Sequence, residues 1–133
     1  MANTAGSAQG GVRLILRLEG LCILLAALAL YSAMRGDWWQ FAGWFFVPDL
    51  ALLGYWLNRQ CGAVCYNLSH SYVGALLVCA YGHFVVQPYW LSLGLIWCAH
   101  LGFDRALGYG LKYAAGFHFT HLGHIGRRKA QLD

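Results

Sequence analysis

Charge is what this sequence has least of. Only 11% of its 133 residues are charged and 59% are hydrophobic, whereas soluble domains run at about 25% and about 45–50%. With a mean hydropathy of +0.50, the chain lacks the polar surface to cover a water-soluble globule of its size, and that class is excluded. Acidic residues are scarcer than basic ones, five against nine, which leaves a formal charge of +4. That excess does not point to nucleic acid, because the Lys and Arg residues stand at helix ends and in short connections, where membrane topology accounts for them. Proline occurs only twice. The five cysteines, at positions 22, 61, 65, 79 and 98, form no framework; only Cys61 and Cys65 are close, and small buried cysteines of this kind serve packing.

What the sequence has is long apolar runs, several near the roughly 20 residues that a spanning helix needs. Residues 1–11 are small, polar and Gly-rich, the composition of a disordered lead-in. Apolar runs then predict helices over about 12–34, 38–57, 63–86 and 89–111, followed by a tail over 112–133. The first has a basic start, like a signal peptide, but its apolar part is long and no small-x-small cleavage site follows, so it is read as a retained helix. Pro48 inside the second predicts a kink or break just before Asp49. The tail is interrupted by Gly116, Gly123 and Gly126, too broken for a further span and suited to lie along the interface. The expected fold is therefore all-α, a polytopic membrane four-helix bundle forming a single domain over 1–133, with a Gly/His-rich C-terminal tail.

Arg13, Arg17, Arg59, Lys112, Arg127, Arg128 and Lys129 fall on one side of such a four-span bundle. The positive-inside rule then puts both termini in the cytoplasm, as for an inner membrane protein of a bacterium. The stretch Trp90 to Lys112 organises the rest, because it carries His100, Asp104 and Arg105 within an apolar run. Ionisable groups are costly there and must face protein, water or a metal. His100 and Asp104, four residues apart, share one helical face. Asp49 stands about 12 Å of helical rise from the cytoplasmic end of the second helix, and His70 about 11 Å into the third from the same side. His100 lies two or three turns deep, so groups on three helices fall in one layer.

Two imidazoles and two carboxylates suit Zn²⁺, Mn²⁺ or Fe²⁺. A divalent cation would offset the carboxylates and lower the pKa of a bound water. Asn67, one turn before His70, could orient a ligand or the attacking water. Each residue also has a plainer role. His70 and His100 could be hydrogen-bonded core histidines, Asp104 could pair with Arg105 or Arg17, and Asp49 could cap a restarted helix. His83 reads as an outer-interface residue and Glu19 as a further candidate carboxylate. In the tail, His118, His121 and His124 recur every three residues, and His121 could fold back over the site as a ligand. Alternatively the tail's basic end meets anionic headgroups.

The segments YNLSHSYVGALL (66–77), WCAHLGFDRALGYGLKYAAGF (97–117) and THLGHIGR (120–127) resemble the signature of a family of small integral membrane proteins, domain of unknown function 4260. The resemblance implies four spans and recurring polar positions at Asp49, Asn67, His70, His100, Asp104, Arg105 and His121. A more remote similarity, to YdjM-like membrane-bound metal-dependent hydrolases, rests on Pro48-Asp49, His70-Ser71, His100 with Asp104, and Gly108-Tyr109-Gly110 in that order. The chain departs from that pattern. The interval from His100 to Asp104 is one residue longer, the Asp-x-Asp after Pro48 is missing, and so is the His-Arg before the second motif. These departures count against a two-metal centre and leave a single metal, or a lost activity, as the alternatives.

The leading expectation is a metal-dependent hydrolase, with zinc the first choice, acting on a lipid or amphiphilic ester or phosphoester near the cytoplasmic leaflet. Asp49, His70, His100, Asp104 and His121 would hold the metal. Asp49, Asn67, Asp104 and Arg105 would serve catalysis, with Arg105 or Lys112 on a substrate anion. Three rivals remain open. One is a haem-binding or electron-transfer bundle with His70 and His100 as axial ligands. Another is a proton or cation transporter or channel, whose pore would require a homo-oligomer. The third is a scaffold whose polar layer only sets helix register.

Overall fold

A computed structural model describes residues 9–111, 119–120 and 122–124 of the chain. The all-α expectation holds. The helices are α1 (Gly10–Ala33), α2 (Trp38–Phe45), a 3-10 helix (Val47–Trp56), α3 (Arg59–His70), α4 (Tyr72–Phe84) and α5 (Pro88–Leu107). In the tail, the two-residue strands β1 (Phe119–Thr120) and β2 (Gly123–His124) pair antiparallel, and Leu122 between them is fully buried. The N-terminal lead-in up to residue 8 and the remaining tail positions, His118 and His121 included, lie outside the described residues.

Local sequence sets each boundary. Asp37 caps α2 by accepting from the Trp39 N–H at 2.9 Å, and Asn58 caps α3 by accepting from the Cys61 N–H at 2.7 Å. Pro88 opens α5, where its missing N–H costs nothing. Gly108 closes α5 at φ +94°, the left-handed position glycine favours, with the Tyr109 N–H returning to the Asp104 carbonyl at 2.8 Å. That glycine ends the fourth helix at residue 107 rather than 111. The break at Pro48 is present: α2 stops at Phe45 and the chain continues as a 3-10 helix with Pro48 in its first turn.

The third helix differs from the sequence reading. It begins at Arg59 rather than residue 63, ends at Phe84, and is interrupted at Ser71, whose extended backbone (φ −87°, ψ 140°) separates α3 from α4. The cause is local. Ser71 turns its side chain onto the Val73 N–H at 3.3 Å, capping a new helix instead of continuing the old one. The carbonyls freed at the end of α3 are taken by α5: the Ser69 carbonyl accepts from the Trp97 indole N–H, and the His70 carbonyl from Arg105 Nη2 at 2.7 Å.

α5 is the axis. Eleven of its 20 residues are buried, against three of 24 in α1; α1, α2 and α4 pack on it, while α3 packs mainly against the 3-10 helix. Small residues such as Ala27, Ala75 and Ala99 share the core with Tyr31, Ile96 and Leu101, while Leu14, Leu25, Leu30 and Leu77 each stand more than half exposed. This inverts the order of a soluble protein and matches helices that approach through small side chains and turn large apolar ones to lipid. Two helical stretches, Gly10–Ala33 and Arg59–Phe84, are long and apolar enough to cross a membrane.

α1 and α5 approach closely. A Cβ on Gly102 would strike the Gly20 carbonyl and the Leu24 N–H, and one on Gly20 would strike the Arg105 Cβ. Because Gly102 is opposed by backbone, Gly102→Leu should force α1 away and cost about 1–3 kcal/mol. Thermal denaturation in detergent should show this as a lowered midpoint, while Gly43→Ala, a position with open space around it, should leave the midpoint in place.

Candidate metal centre

Each break in the helices delivers one member of the centre. Asp49 lies in the first turn of the 3-10 helix that Pro48 starts, and His70 is the last residue of α3. His100 and Asp104 stand one turn apart on α5. Four residues separated by up to 55 positions in the chain thus bring their donor atoms to within 4.8 Å of one another.

The distances are nearly uniform. His70 Nε2 lies 3.1 Å from Asp49 Oδ1, 3.2 Å from His100 Nε2 and 3.3 Å from Asp104 Oδ2. His100 Nε2 lies 3.3 Å from Asp49 Oδ1 and 3.2 Å from Asp104 Oδ2. A tetrahedral ion with ligands at about 2.0 Å spaces them about 3.3 Å apart. Five of the six edges therefore have the length that such an ion requires. Core histidines in ordinary hydrogen bonds need not turn two ring nitrogens on each other, yet here the two Nε2 atoms face one another between carboxylates.

The surroundings of His70 set its tautomer. Its Nδ1 lies 3.0 Å from the Tyr66 carbonyl and 2.8 Å from Ser69 Oγ. An Nδ1–H donating there leaves the Nε2 lone pair turned to the centre, the arrangement that metal-ligating histidines use. Tyr66 also stacks on the His70 ring, with centroids 3.8 Å apart and planes at 7°. Phe45 meets His100 edge-on at 5.1 Å. Ser69 Oγ, 3.2 Å from the Pro48 carbonyl, links the end of α3 to the start of the 3-10 helix. His100 Nδ1, on the far side of its ring, is buried without a hydrogen-bond partner among the described residues. Both imidazoles are sealed, at 0% and 1% exposure. Asp104 is at 13% and Asp49 at 39%, so the centre opens on the Asp49 side.

Four of the residues singled out in the sequence therefore meet. Asp49 does not cap its helix, since its carboxylate faces the imidazoles, and Asp104 pairs with the histidines rather than with Arg17, whose Nε instead donates to the Ala106 carbonyl at 2.9 Å. Arg105 does not reach toward a ligand. It is buried, and its Nη1 and Nη2 are committed to the carbonyls of Tyr109 and His70. Its part is to hold the end of α3 in place, because those carbonyls have no helical acceptor role left to fill. Asn67 is half-buried on α3, three residues before His70. Glu19 and His83 are exposed on other faces, and His121 and Lys112 lie outside the described residues. Tyr66, Ser69, Phe45 and Trp97 were not singled out from the sequence. Of these only Tyr66, four residues before His70 and thus one turn below it, carried a signal in its spacing.

No curated protein and no solved structure matches the chain. One family does, over residues 13–125, and it includes all four converging side chains together with the HLGFDRALGYG segment that ends α5: the chain belongs to the family described as Domain of unknown function (DUF4260).

Proposed function

We propose that the chain is a membrane-embedded metal-dependent hydrolase, with Asp49, His70, His100 and Asp104 as the ligands of one divalent cation, zinc by preference. The observation that carries this reading is the set of five donor–donor distances between 3.1 and 3.3 Å, which fits a four-coordinate ion with nitrogen and oxygen ligands. Four protein donors fill a tetrahedron, so the cation would supply a Lewis acid and an acidified water at neutral pH only by taking water as a fifth ligand or in place of one carboxylate. The chain's own residues would do the rest. The Tyr66 carbonyl and Ser69 fix the His70 ring, while Tyr66 and Phe45 keep bulk water from the imidazoles. Asp49, the most open of the four, is placed to take a proton from water as it adds to an ester or phosphoester and to return it to the departing alcohol. The motif order shared with YdjM-like hydrolases supports the reaction class.

The apolar exterior and the two long apolar stretches support placement in a membrane. The Lys and Arg distribution supports four spans with the centre toward the cytoplasmic leaflet of a bacterial inner membrane, which makes a lipid or other amphiphile the substrate class. The haem reading is less well supported. Axial histidines lie on opposite faces of a porphyrin, whereas the two Nε2 atoms here are 3.2 Å apart with a carboxylate oxygen beside each.

Elemental analysis of the protein purified in detergent should find about one divalent ion per chain, reduced to background in His100→Ala and Asp104→Ala. Unchanged metal content in both variants would remove these residues from the ligand set. Against a panel of p-nitrophenyl esters and phosphodiesters, the metal-loaded protein should show turnover that chelation abolishes and zinc restores. Asp49→Ala, which removes a ligand as well as the base, should lower that turnover by at least about 10²–10⁴-fold, and metal content measured alongside separates the two effects. Rates equal to the uncatalysed background with metal bound would end the hydrolase reading.

A further inference from the structure

Two arginines at the end of α5 stand without a counter-charge. Arg13 and Arg17 are four residues apart on α1 and share one face, a spacing at which like charges repel. Both turn to the same spot. A Cβ built on Gly108, the glycine that closes α5, would lie 3.3 Å from Arg13 Nη2 and 3.8 Å from Arg17 Nε. Arg17 Nε donates to the Ala106 carbonyl at 2.9 Å. Arg13 has no such outlet, since its Nε is buried and has no hydrogen-bond partner among the described residues.

The chain has only five acidic side chains, and each can be traced. Asp37 caps α2, and Asp49 and Asp104 face the imidazoles. Glu19 is exposed on α1, two residues from Arg17 and six from Arg13, and so faces neither along the helix. Asp133 lies outside the described residues, and among those described no carboxylate pairs with either guanidinium. The main chain does not offset the charge. The end of α5 contributes the equivalent of about half a negative charge, and the start of α1, where Arg13 is the fourth residue, about half a positive one. Two full positive charges therefore remain, and a buried N–H donor without an acceptor adds its own cost.

We infer that Arg13 and Arg17 form a binding site for a phosphate monoester, with Gly108 leaving the room in which the two guanidinium groups converge. A carboxylate has one charge and two oxygens, enough for a single guanidinium fork. A phosphate monoester has a charge near −2 and three acceptor oxygens, which matches two arginines in both respects. The group can come from a lipid headgroup such as that of phosphatidic acid or from a soluble phosphate ester. The site shares no residue with the metal centre and does not depend on the hydrolase reading.

The test follows the thermal midpoint of the full-length protein in neutral detergent at fixed ionic strength, since an anion that binds the folded state raises it. One series adds inorganic phosphate, with acetate as the control. The other dopes the micelles with phosphatidic acid, phosphatidylglycerol or phosphatidylcholine. A rise with phosphate shows that the group alone suffices, and a rise confined to phosphatidic acid assigns the site to a lipid headgroup; either upholds it. Arg13→Gln should weaken the binding about 10- to 100-fold, the loss of one charge-assisted hydrogen bond. Its midpoint without anion should hold or rise, because a like-charge pair is relieved, and its metal content should be unchanged. Arg59→Gln, which removes the same charge from an exposed position at the start of α3, should weaken binding by no more than about twofold. Equal losses in Arg13→Gln and Arg59→Gln would reduce the effect to diffuse surface charge and overturn the site. A response to neither phosphate nor phosphatidic acid would also overturn it. So would a lowered midpoint in both Arg13→Gln and Asp133→Asn, which would mean that the chain supplies its own counter-charge.

Discussion

The break between α3 and α4 is the constraint on which the Asp/His cluster depends. A helix interrupted within an apolar segment leaves main-chain carbonyls that lipid cannot satisfy, and each costs several kcal/mol if it stays unpaired. Here the Ser69 and His70 carbonyls are met by Trp97 and Arg105, both on α5. The same helix that carries His100 and Asp104 therefore also fixes where α3 ends, and the residue at that end is His70. The interruption and the cluster are one arrangement, with the polar cost of the first met by the element that completes the second.

Close packing makes that arrangement possible. α5 can be buried on most of its circumference only if its neighbours come near, and glycines on both sides of the α1–α5 and α4–α5 contacts permit it: Gly20 against Gly102, and Gly82 and Gly94 where α4 meets α5. Large apolar residues are turned outward instead. In the membrane placement proposed above there is no gain from hiding leucine, and shape at small residues and the polar groups at its centre would specify the bundle.

Much of this was legible in the sequence, for physical reasons that differ from residue to residue. His100 and Asp104 were visible because an ionisable pair at helical spacing within an apolar run has few uses. Asp49 was visible because Pro48 announces a break. Equal depth along the helices then brought His70 in, since rise per residue is nearly constant. The interruption at Ser71 was not legible. Serine is tolerated inside membrane helices, and only the donors on α5, distant in sequence, make the extended conformation affordable. The hydrogen bonds of Arg105 were not legible for the same reason: a basic residue beside a carboxylate suggests an anion, and nothing local shows that its guanidinium also donates to two carbonyls.

Charge balance gives the last step. Two carboxylates beside two neutral imidazoles carry a charge of −2, and placing such a charge between apolar helices is costly. A divalent cation brings the sum to zero, and the His70 Nδ1 contacts to Tyr66 and Ser69 fix the ring proton on Nδ1, which leaves Nε2 as the atom available to the ion. Structural zinc sites close all four coordination positions with protein ligands, whereas catalytic sites keep a position for water or substrate. With four protein donors present, such a position would have to open beside Asp49, which is 39% exposed while the imidazoles are at 0% and 1%. The asymmetry among otherwise matched ligands is therefore the feature that favours chemistry over scaffolding.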